Sequence, residues 1–115
     1  MSRMTVLTPA QLVDAALDRA IREQAHAVDI TYSPAGSEVS LECDGRREPL
    51  FSFPQAQWEA LRRLIGERSG LPRGEDPYQR ALSFTHAHGG QVYFVAAIVG
   101  PTAVRLIPSP APPSG

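Results

Sequence analysis

Residues 38–53 read Glu-Val-Ser-Leu-Glu-Cys-Asp-Gly-Arg-Arg-Glu-Pro-Leu-Phe-Ser-Phe, and their pattern decides the fold class. Val39, Leu41 and Cys43 alternate with Ser40, Glu42 and Asp44. Successive side chains of an extended strand point to opposite faces, so this period predicts a half-buried antiparallel strand. Asp44-Gly45 is a hairpin turn signal, since both residues accept the positive φ that a tight turn needs. Residues 48–53 then return as the next strand, and Pro49 near its start marks a sheet edge.

Working outward, residues 28–32 form an earlier strand, closed by the turn Ser33-Pro34-Ala35-Gly36. Before it, residues 8–26 read as a helix. Thr8 is the N-cap, Pro9 suits the first helical position and Gln11 completes a capping box. Leu12, Val13, Ala16, Leu17, Ala20, Ile21 and Ala25 form one apolar stripe. Asp14, Asp18, Arg19, Arg22 and Glu23 fall largely on the opposite face, and Asp18–Arg22 has i,i+4 spacing.

Downstream, Pro54 ends the third strand and opens a second helix over residues 54–67, with Trp58, Leu61, Leu64 and Ile65 on one face. Residues 66–77 are rich in Gly, Pro and charge and read as a loop. Three more strands follow over 79–85, 91–99 and 103–107, with turns at His88-Gly89-Gly90 and Gly100-Pro101. The stretch 91–99 is almost continuously apolar, which predicts a central strand covered on at least one face. Residues 108–115 hold four prolines and read as an extended tail. The chain is thus expected to be one α+β domain over 1–107, in the order α-β-β-β-α-β-β-β, with a Pro-rich tail over 108–115. Short connections favour an antiparallel sheet carrying both helices.

Composition narrows the function classes. The 115 residues carry 11 basic and 12 acidic side chains, a net charge of −1. Such a balance predicts no nucleic-acid partner and no attraction to an anionic membrane. All the basic residues are arginines. Without lysine there is no P-loop lysine, no Schiff base and no Ser–Lys dyad. Cys43 stands alone, which fits a reducing compartment. The sequence shows no secretory signal at residues 1–6 and no apolar run long enough to span a bilayer. Together these predict a cytoplasmic location with no membrane insertion.

Candidate reactive groups each have a simpler structural reading. Gly89-Gly90 is a turn and not a phosphate loop. Ser69 before Gly70 reads as a turn residue, and no Gly-x-Ser-x-Gly motif is present. Cys43 shares a face with Val39 and Leu41 and reads as a small buried hydrophobe. His86 and His88 share a strand face and could begin a metal site, with only the distant His26 to add. His26 is better placed as a charge near a helix C-terminus. Arg46, Arg47, Arg62, Arg63 and Arg68 read as solvated arginines. Tyr32, Trp58, Tyr78 and Tyr93 read as core. No catalytic, cofactor-binding or metal-binding residue is assigned, and no cofactor is expected.

Four segments resemble a known family. Ala27-Val28-Asp29-Ile30-Thr31-Tyr32-Ser33-Pro34 is similar to the Ala-Ser-Asp-Ile-His-Ile-Glu-Pro segment of the type II secretion and type IV pilus motor ATPases. Val39–Gly45 is similar to that family's Val-Arg-Tyr-Arg-Ile-Asp-Gly strand and turn. Gly90-Gln91-Val92-Tyr93-Phe94-Val95 and Thr102-Ala103-Val104-Arg105-Leu106-Ile107-Pro108 are similar to two later strands, the last of which precedes the linker to the ATPase domain. The resemblance spans about residues 8–110. It implies the non-catalytic N-terminal domain of that family, PAS-like, with two helices on an antiparallel sheet. Asp29, Ile30, Pro34, Asp44, Gly45, Arg105 and Pro108 carry over. The family's histidine and glutamate fall at Thr31 and Ser33, and its arginines fall at Ser40, Glu42, Gln91 and Tyr93. Family arginines that reach the nucleotide are therefore replaced by side chains that cannot stabilise phosphate charge.

The expected function is a non-enzymatic protein-interaction or regulatory module. Its implied partner is a secretion or pilus motor ATPase or an associated cytoplasmic component, and self-association is left open. The expected contact surfaces are the first helix and the sheet face carrying Ser40 and Glu42. The alternative is a small-ligand or signal sensor, which needs a cavity between helix and sheet lined by Trp58, Phe84 or Phe94.

Overall fold

A computed structural model of the chain describes residues 7–72, 75, 77 and 81–110. The elements run α1 (Pro9–Glu23), β1 (Ala27–Ser33), β2 (Gly36–Cys43), β3 (Arg46–Phe53), α2 (Trp58–Arg68), β4 (Ala81–His88), β5 (Gln91–Val99) and β6 (Ala103–Pro110). A 3₁₀ turn over Gln55–Gln57 leads into α2. This is the α+β order that the periodicities predict.

Thr8 builds the expected capping box. Its hydroxyl accepts from the Gln11 backbone at 3.2 Å, and its own N–H donates to Gln11 Oε1 at 2.9 Å. Two orphan donors of the first turn are satisfied this way. The helix ends at Glu23, three residues short of the stretch its stripe suggests. Gln24 adopts the left-handed conformation at φ 56° and its N–H returns to Ala20 and Ile21. The second helix is likewise displaced: α2 begins at Trp58 and runs on to Arg68.

Among the described residues, one six-stranded sheet in the order β3-β2-β1-β6-β5-β4 holds every strand. All five pairings are antiparallel. Two meanders, β1-β2-β3 and β4-β5-β6, meet where β1 pairs with β6. Both hairpin turns Asp44-Gly45 and Gly89-Gly90 need positive φ at each residue, at 49° and 79° and at 58° and 79°. Such turns match the right-handed twist of the strands they join.

Both helices cover one face. Leu12, Val13, Ala16, Leu17 and Ala20 of α1 and Trp58, Leu61 and Ile65 of α2 pack on Val28, Ile30, Val39, Leu41, Phe84, Val95, Val99, Val104 and Leu106. Cys43, expected to be buried, is half-buried and packs against the edge of this core.

β3 is an edge strand, consistent with Pro49. Between Val39 and Ser40 the register slips, so Leu50 is an extra residue in β3. β6 continues past Ile107 into the proline-rich stretch, with Pro108 opposite Val95 and Pro110 opposite Tyr93. The β4 strand ends at His88, three residues later than the expected strand, while residues 79–80 and Tyr78 lie outside the described residues.

Candidate functional site

The sheet face turned away from the helices carries two neighbouring surfaces. The first is ionic. Asp29 on β1 lies opposite Ser40 on β2 and Arg105 on β6. Arg105 donates to Asp29 Oδ1 at 3.3 Å and to Glu42 Oε2 on β2. The Arg47 guanidinium on β3 stands 3.7 Å from Asp29 Oδ2. That oxygen is buried and accepts no hydrogen bond. Two carboxylates and two guanidiniums thus balance across four adjacent strands.

Register explains the cluster. Residues that face each other in antiparallel strands share a side of the sheet, which brings Glu42, Asp29 and Arg105 into reach of one another. The Ser40 hydroxyl donates to the Asp29 carbonyl oxygen at 3.4 Å and is buried. The hydroxyl is spent on that backbone carbonyl and is not presented to solvent. The arrangement clamps strands together.

The second surface is apolar. Val92, Phe94 and Ile98 alternate along β5 and are 47%, 48% and 55% exposed. Ala81, Ala87 and Ala96 join them as exposed positions on that face. The sensor alternative needs a helix–sheet cavity lined by Trp58, Phe84 or Phe94. The register places Phe94 on the other face, because Phe94 and Val95 alternate and Val95 is fully buried under the helices. Trp58 and Phe84 belong to the packed core. Among the described residues, two hollows open at the surface. One of about 620 Å³ lies at the β1–β2 turn around Pro34 and Gln55, and one of about 500 Å³ lies beside Tyr32, Trp58 and Pro101.

A third cluster joins α1 to β4 on the helix side. His86 Nε2 donates to Asp18 Oδ1 at 2.7 Å, and His88 Nδ1 donates to the same oxygen at 2.9 Å. A carboxylate only accepts, so those two ring nitrogens carry the protons. His86 Nδ1 stands 3.6 Å from Asp14 Oδ1, and Arg68 of α2 donates to that Asp14 oxygen at 2.7 Å. Burial pushes the Asp18 carboxyl up, but the histidine hydrogen bonds and charges outweigh it and hold Asp18 below the ordinary carboxylate value. The expected Asp18–Arg22 pair gives way to this cluster, and the i,i+4 pair formed on α1 is Arg19–Glu23.

His86 and His88 do share a face, as their spacing predicts. Their nitrogens converge on an acceptor oxygen, and among the described residues no three His, Cys, Asp or Glu side chains are placed to hold a metal ion. His26 lies far from them in the fold, exposed, with Nε2 at 3.3 Å from Asp44 Oδ1. Ser69 caps α2, donating its hydroxyl to Ile65 O at 2.8 Å. Tyr32 packs its ring 5.4 Å from that of Trp58. Arg62 pairs with Glu59 and Arg68 with Asp14.

Of the positions on which the resemblance to the motor ATPases rests, Asp29 and Arg105 meet in the ionic cluster, Ile30 is in the core, Pro34, Asp44 and Gly45 are in turns, and Pro108 is in β6. The positions where family arginines would stand are split between β2 and β5, with β1 and β6 between them. Sequence reasoning missed the Asp18 cluster, whose members lie 68 and 70 residues apart. Among the described residues no helix is long and apolar enough to cross a membrane. No protein-family model matches this chain, and no curated protein matches it.

Proposed function

We propose that this domain is a non-catalytic protein-interaction module that works in the cytoplasm. The observation that carries the reading is the uncovered sheet face. Three large apolar side chains lie in a row on β5, beside a cluster of two carboxylates and two guanidiniums whose charges balance. Exposed apolar side chains grouped beside a polar rim are a mark of a protein-binding surface. The contact surface is therefore assigned to β5 and β6. Ser40 is buried, and Glu42 is engaged by Arg105. The resemblance to the N-terminal domain of secretion and pilus motor ATPases, PAS-like in kind, suggests the partner: a motor ATPase or a component that works with one.

The test is reconstitution with a purified motor ATPase from the same cell, read by interferometry. Phe94→Glu combined with Ile98→Glu should weaken binding at least tenfold while leaving the thermal midpoint nearly unchanged. Equal binding by wild type and variant, or none by either, removes the reading.

A further inference from the structure

The two edges of the sheet are built differently, and the difference points to a second interface. β3 carries the devices that keep an edge from pairing: Pro49 without an N–H, the extra residue Leu50, and the charged run Arg46, Arg47 and Glu48. β4, the other edge, has none of them. Its sequence Ala-Leu-Ser-Phe-Thr-His-Ala-His contains no Pro, Gly, Asp, Glu, Lys or Arg, and it pairs in unbroken register with β5 over all eight residues. Among the described residues, no backbone hydrogen bond outside the β4–β5 ladder involves residues 81–88.

The hairpin fixes which backbone groups are free. His88 and Gln91 flank the two-residue turn Gly89-Gly90 and form its closely bonded pair. Counting back by twos, His86, Phe84 and Leu82 bond to β5. Ala81, Ser83, Thr85 and Ala87 therefore aim both N–H and C=O away from the sheet.

We infer that β4 pairs antiparallel with β4 of a second copy of this chain, extending the sheet across a two-fold axis at Phe84. In that register Ala81 faces Ala87 of the second copy and Ser83 faces Thr85 of the second copy, so all four outward-facing residues find bonding partners on both sides. The Ser–Thr pair lies on the uncovered face, and Leu82 meets His86 of the second copy under the helices. No like charges meet, because the strand has no acidic or basic residue besides two histidines held by Asp18. A partner of other chemistry would need its own complementary strand, whereas this edge complements itself. Pairing also sets the two apolar rows on β5 side by side on one doubled face, about 14 Å apart. The inference does not depend on the proposed motor partner.

Sedimentation equilibrium of the full chain tests it, with Thr85→Pro as the first variant. The Thr85 N–H points outward, so proline there removes a dimer bond and leaves the β4–β5 ladder whole. Ser83→Lys combined with Thr85→Lys is the second variant, and circular dichroism melts check the fold of both. Wild type should show about twice the 12.5 kDa chain mass, and both variants should show the single-chain mass with their melts preserved. A wild type that stays at single-chain mass up to roughly 100 µM overturns the inference. So does a dimer that survives the β4 variants and falls apart with Phe94→Glu.

Discussion

Arg105→Ala tests whether the ionic cluster holds the sheet together. Arg105 is the cation that hydrogen-bonds Asp29, and it binds Glu42 as well. The Asp29 side chain is 10% exposed, and the remaining cation, Arg47, stands 3.7 Å away with 60% of its side chain in solvent. Removing the guanidinium leaves a buried carboxylate with one distant, well-hydrated partner. Breaking a fully buried pair costs about 3–5 kcal/mol, while an exposed pair is worth about 1 kcal/mol or less. Arg105 is 39% exposed and Glu42 34%, so the cluster sits between these limits. A loss of about 2 kcal/mol is expected, which lowers the thermal midpoint by roughly 8 °C in a chain this size. Urea melts give the free energy directly. Adding Asp29→Asn to Arg105→Ala should recover about 1 kcal/mol, because a neutral amide in that place no longer buries an unpaired charge. A single variant within about 0.5 kcal/mol of wild type, or a double variant less stable than the single, would refute the reasoning.

Leu41 is fully buried against the helices, so Leu41→Ala should cost about 2–4 kcal/mol in urea melts, well above Thr31→Ala on the uncovered face of the neighbouring strand. Asp18 is held below its ordinary carboxylate value, so its contribution is complete above about pH 4 and is lost as pH falls through the depressed folded value. Asp18→Asn should therefore be less stable than wild type near neutrality, with the gap closing as melts are taken to lower pH; a gap that stays constant with pH counts against the cluster.

Strand and helix identity was legible wherever the chemistry was local. Val39-Ser40-Leu41-Glu42 alternates because one face of β2 packs on helices and the other does not. Thr8 and Gln11 specify a helix start by hydrogen bonds three residues apart. The α1 terminus was misread because Ala25 continues the apolar stripe, yet Gln24 turns left-handed and Ala25 packs on the core from outside the helix. Pro108 and Pro110 suggested a tail, since proline cannot donate to a ladder. In β6 they stand opposite Val95 and Tyr93 at the end of the strand, where the β1 partner has already run out at Leu106. Only one side of the strand is still paired there, and a missing N–H on the open side leaves nothing unsatisfied.

The candidate surfaces were harder to read, for a definite reason. The eight consecutive apolar residues that follow Gln91 in β5 carry no alternation, so nothing in the sequence says which of them the helices cover. Register settles it: Val95, Ala97 and Val99 face inward, and Val92, Phe94, Ala96 and Ile98 are left outside. A strand buried on both faces and one with an exposed apolar row have the same sequence signature. Val92, Phe94 and Ile98 leave about half of their surface in solvent, where it contributes nothing to the fold of the single chain. Their exposure beside an ionic cluster whose charges balance is the observation on which the proposed protein-binding face of β5 rests.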